Sequence, residues 1–85
     1  MEQIANTRKA ELVRPNSTML RIETEREADG RWIGEVPALP GVLTHGQSEA
    51  EARTKAAVLA LRVIADRIEH GEQLPAEARD LFAPA

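Results

Sequence analysis

The sequence predicts an α+β fold, a three- to four-stranded antiparallel sheet covered on one face by one long helix. Three observations carry that reading. Apolar and charged residues alternate along residues 19–25, the period of a strand with one buried face. Asp29-Gly30 then separates this segment from a second short run, "RWIGEVP", which is the sequence form of a hairpin. Residues 49–70 repeat apolar side chains at helical spacing behind a capping serine and in front of a glycine.

The chain has 85 residues, no cysteine and a formal net charge of −3. A domain of this size buries only about 60–65% of its unfolded surface, and neither disulfides nor thiolate metal sites are available to support it. Association is the remaining support, so a homo-oligomer or a partner complex is expected. Fourteen acidic residues against eleven basic ones leave no dominant basic patch, so direct nucleic-acid binding is not expected. No signal-peptide core or membrane-length apolar run is present, and the expected setting is the cytoplasm.

The elements follow in order. Residues 1–17 contain few large aliphatic residues, Ile4, Leu12 and Val13, before the Pro15-Asn16-Ser17 breaker, and are consistent with either a mobile leader or a short helix over residues 2–13. In the first strand Leu20, Ile22 and Thr24 share one face, while Arg21, Glu23 and Glu25 share the other. Gly30 supplies the turn, and Trp32, Gly34 and Val36 line one face of the returning strand. Pro37 cannot donate to a ladder and ends that strand. "PALPG" reads as a stiff corner: Pro37 and Pro40 each hold the preceding residue extended, and Gly41 turns the chain. Leu39 is expected either to project from this corner or to tuck beneath it. "VLTH" forms a third strand, closed by Gly46. Ser48 and Glu51 form a capping box in which Glu51 reaches back to the amide of Ser48. The helix is expected to stop at Gly71, and His70 sits where the helix dipole favours a cation. In the tail, residues 72–85, "RDLF" is consistent with either a fourth, edge strand or a helical turn.

Several side chains invite functional readings. Trp32 is expected to supply core area, with a partner anchor as the other role. Ile33 points away from Trp32 among charged neighbours, and Gly34 leaves room for a close approach. His45 has neither a nucleophile nor an orienting acid beside it in sequence. Glu23, Glu25, Glu49 and Glu51 raise the question of carboxylate metal ligation, although Glu51 is accounted for by the cap. With Ala60 as centre, Ala52, Ala56, Ala57, Leu59, Leu61, Val63, Ile64 and Ile68 fall within one half of the helix circumference. Thr54, Val58, Leu61, Ala65 and Ile68 also recur at spacings of four and three, a ridge along the flank that the core does not explain.

Taken together, Gly30, Trp32, Glu35, Val36 and Pro37, then Leu39-Pro40-Gly41, Gly46, Glu51-Ala52 and the exit "EHGEQLP" resemble the HicB-like antitoxin family over residues 18 to about 75. The resemblance implies a partial RNase H-like module of order β-β-β-α-β within a domain spanning residues 18–71. It implies a non-catalytic protein without cofactor or metal, which neutralises a small basic mRNA-cleaving toxin of the HicA type by direct binding. Relatives often carry a further C-terminal DNA-binding unit; only residues 72–85 follow Gly71, so operator binding is not expected of this chain alone. The expected partner surface comprises Trp32, Ile33, Leu39, Pro40, His45, Val58 and Leu61. Gly30, Pro37, Pro40, Gly41, Gly46, Ser48, Glu51 and Gly71 are expected to shape the corner, turns and caps. The alternative is an orphan HicB-like module that self-assembles, regulatory or ligand-binding, without a toxin.

Overall fold

The computed structural model of the chain describes residues 19–82; the leader expected at 1–17 and residues 83–85 lie outside it. Strands β1 (Glu23–Arg26), β2 (Trp32–Glu35) and β3 (Leu43–Gly46) form an antiparallel sheet in the order β1-β2-β3. Helix α1 (Glu49–Glu69) lies across one face of this sheet, and a 3-10 turn (Ala76–Ala78) follows. The α+β architecture therefore stands in its three-stranded form. Within the described tail Arg79 to Phe82 make turns and bends, so "RDLF" adds no strand to the sheet.

The β1–β2 connection is a three-residue loop. Glu27 and Arg31 close it (2.7 Å), the Gly30 amide donates to the Glu27 carbonyl (3.0 Å), and Gly30 carries φ +92°. Asp29 accepts the Arg31 amide and Nε, both at 3.0 Å, and these bonds with the Arg31 charge hold its carboxyl below the usual range.

The proline-rich corner consists of two turns that share one residue. The Leu39 amide donates to the Val36 carbonyl and the Val42 amide to the Leu39 carbonyl, each at 3.0 Å. Pro37 and Pro40 thus occupy the second position of successive turns, where their fixed φ is already correct. Gly41, with φ +92°, takes the third position of the second turn, which demands a positive φ. Leu39 is the residue shared by both turns, and it tucks inward with 0% exposure.

Leu39, Val36 and Val42 form the centre of the core with Ala56, Ala60, Ile64 and Ala78; Leu20, Ile22, Leu59, Val63 and Leu74 pack around it. Small residues on α1 let the helix sit close to the sheet. A Cβ on Gly34 would collide with the Ala52 carbonyl, and one on Gly46 would lie 2.6 Å from the Ala52 amide nitrogen. The Thr44 hydroxyl lies 3.2 Å from the Gly34 carbonyl and 3.1 Å from the Ala52 carbonyl, tying the sheet to the first turn of α1.

Ser48 caps α1 by accepting the Glu51 amide (3.1 Å). The carboxylate of Glu51 reaches back one residue further than expected, to the amide of Gln47 and not of Ser48. At the other end Gly71 (φ +70°) ends the helix, and the His70 ring nitrogen Nδ1 lies 2.8 Å from the Asp66 carbonyl oxygen. Leu61 and Ile68, placed by a simple helical wheel on the core half of α1, are exposed. The sheet contact is centred on Ala52, Ala56, Ala60 and Ile64, which turns both of them outward.

Candidate functional site: the open face of the sheet

Because α1 covers only one face of the sheet, the strand alternation divides the residues cleanly. Thr24, Gly34 and Thr44 form one cross-strand row beneath the helix. The rows on the opposite face are Glu23–Glu35–Leu43 and Glu25–Ile33–His45. Arg31 and Glu27 continue that face at the hairpin, and Arg21 continues it before β1.

This face has an apolar centre and a mainly anionic surround. Ile33 is half-buried and Leu43 is exposed beside it. Glu23 lies 3.7 Å from Arg21, and Glu27 lies 3.7 Å from Arg31 and 3.8 Å from His45 Nε2. The Glu27 oxygen between Arg31 and His45 is buried and, among the described residues, has no hydrogen-bond partner. Among the described residues Glu25 and Glu35 form no ion pair. Glu23 and Glu35 are direct cross-strand neighbours, an arrangement in which like charges repel. Four glutamates against two arginines leave the face negative when His45 is neutral.

The expected partner residues fall on different surfaces. Ile33 and His45 meet in register on the open face. Pro40 is exposed on the corner, and Trp32 lies half-buried on the helix side of β2. Leu39 is corrected from a contact residue to a core residue, because the two turns direct its side chain inward and leave it no exposed surface. Val58 and Leu61, 44% and 62% exposed, stand on the outer side of α1 with Ile68 at 49%. With exposed Thr54 and Ala65 they form a stripe of alternating spacing four and three.

The four carboxylates weighed as metal ligands divide between two places. Glu23 and Glu25 stand on the open face. Glu49 accepts the Thr24 hydroxyl (2.7 Å) and pairs with Arg53 (3.3 Å), both of which lower its pKa, and Glu51 serves the cap. Among the described residues no group of three or more His, Asp or Glu gathers as a metal site, and no helix is long and apolar enough to cross a membrane.

Leu43, Glu35, Glu27 and Arg31 belong to this face, although they were absent from the sequence-derived contact set. The signal for them was the strand alternation itself, read for the charged parity as well as for the apolar one. Comparison with protein families, curated proteins and solved structures returns no match. The function therefore has to be argued from the chemistry of the face.

Proposed function

We propose that the protein is a HicB-like antitoxin that neutralises a small basic mRNA-cleaving toxin in the cytoplasm by binding it on the open face of the sheet. The observation that carries this reading is the charge of that face: among the described residues Glu25 and Glu35 have no cation partner, and Glu23 and Glu35 face one another across the ladder. Cationic side chains from a partner would relieve that repulsion, while Ile33 and Leu43 supply apolar area at the centre. Preformed strands and a corner held by two prolines leave little chain entropy to be lost on binding. Neutralisation is then occlusion of the toxin's catalytic or RNA-binding surface, and the antitoxin contributes no chemical step.

Co-expression provides the test. The wild-type chain should restore growth to cells producing the small basic protein encoded beside it, and should co-purify with it in stoichiometric amount. Glu25→Lys/Glu35→Lys should abolish both effects while retaining the fold. The absence of a basic partner, or rescue that ignores the charge reversal, would remove this reading.

A second reading, self-assembly, is favoured by the outer stripe of α1. Thr54, Val58, Leu61, Ala65 and Ile68 keep the spacing by which one helix seats against another. Light scattering should then show an oligomer mass that Leu61→Glu returns to that of one chain.

A further inference from the structure

The two edges of the sheet are not equivalent. In an antiparallel ladder the residues that bond to a neighbouring strand alternate with residues whose N–H and C=O point away. The Val36 amide donates to the Val42 carbonyl (3.1 Å), so Val42, Thr44 and Gly46 bond inward and Leu43 and His45 present the outer edge of β3. That edge is partly closed. Lys55 Nζ donates to the His45 carbonyl (3.1 Å), and the Leu43 amide turns back to the Gly41 carbonyl (3.1 Å). A lysine at the rim is a usual guard against strand addition.

On the other side, Glu27 bonds Arg31, so Glu25 and Glu23 bond β2 and the backbone groups of Ile22, Thr24 and Arg26 point outward. Among the described residues, none of these outward backbone groups has a hydrogen-bond partner. This edge is open, and Glu23 and Glu25 stand beside it on the open face.

We infer that the β1 edge is a strand-addition site for an extended basic segment that carries cationic side chains two residues apart. Opposite Glu23 and Glu25 an added antiparallel strand makes non-hydrogen-bonded pairs, whose side chains approach most closely. Lysine or arginine at those two positions forms cross-strand ion pairs, while the backbone of Ile22, Thr24 and Arg26 supplies the ladder bonds. The same charges disfavour a second copy of this chain. Pairing β1 with β1 about Thr24 sets Glu23 against Glu25 of the other copy twice on one face. The inference rests on the basic-partner reading and adds to it the edge and the geometry of contact.

The test uses the full chain and a synthetic peptide alternating Lys or Arg with Val or Thr, with a control peptide carrying Glu at every cationic position. Amide hydrogen exchange at Ile22, Thr24 and Arg26 should slow by about ten-fold or more at saturating basic peptide. The acidic peptide should leave it unchanged, and Glu23→Lys/Glu25→Lys should abolish the protection. Basic-peptide binding that shifts Ile33 and Leu43 without protecting the three edge amides would overturn strand addition while leaving the basic-partner reading intact. Failure of the peptide to bind while the basic partner protein binds without edge protection would do the same. Protection that rises with protein concentration alone would replace the basic strand by a second copy.

Discussion

Gly34 shows how closely single residues are constrained here. It lies opposite Thr24 and Thr44 in the central row, and the Ala52 carbonyl occupies the space that any side chain at position 34 would need. The obstacle is backbone, which cannot rotate away, so Gly34→Ala must lift the first turn of α1 from the sheet. A loss of about 1–3 kcal/mol is expected in urea unfolding, with the larger figure if the Thr44 contacts to Ala52 and Gly34 break as well. The sequence made a close approach at Gly34 visible, because a glycine inside a strand is otherwise unfavourable. It did not reveal that the approaching group would be the chain's own helix. Leu39 is similar: its flanking prolines announced a rigid corner, but whether the side chain faced water or core depended on where Ala56, Ala60 and Ile64 would lie.

Among the elements, α1 is joined to the sheet chiefly through its first turns. Ser48 supplies the cap, and Ser48→Ala should cost about 1 kcal/mol in the same unfolding measurement. Glu49 accepts the Thr24 hydroxyl, and this bond, with Arg53 nearby, lowers its pKa. The sign follows from linkage: a depressed carboxyl contributes stability above its unfolded pKa, and that contribution is lost as pH falls through the folded value. Glu49 is exposed, so the effect is small and is best read locally. In an NMR titration Glu49 should ionise below the ordinary glutamate value, and Thr24→Val should raise its midpoint. The capping box was readable from "SEAE" because it needs only the serine and the glutamate three residues later. The link from Glu49 to Thr24 joins positions 25 residues apart and required the helix to be docked.

For the molecule as a whole, the acidic sheet face and the apolar stripe of α1 are different surfaces of a two-layer fold, the first on the side of the sheet away from α1 and the second along the flank of the helix. They should therefore be separable by mutation. Leu61→Glu should change the oligomer mass and leave binding of a basic partner at its wild-type level, whereas Glu25→Lys should do the reverse; paired light-scattering and titration measurements check both. By itself the sequence determined the hairpin, the stiff corner and the capped helix, because each depends on local backbone chemistry: glycine at positive φ, proline at preset φ, and a serine oxygen near a free amide. Only the tertiary structure decided which side of α1 meets the sheet, that Leu61 and Ile68 face outward, and that β1 keeps an open edge while Lys55 guards β3. Those outcomes arise from packing between segments far apart in the chain, where the volume of Ala52, Ala56 and Ala60 against Gly34 and Gly46 sets the rotation of the helix.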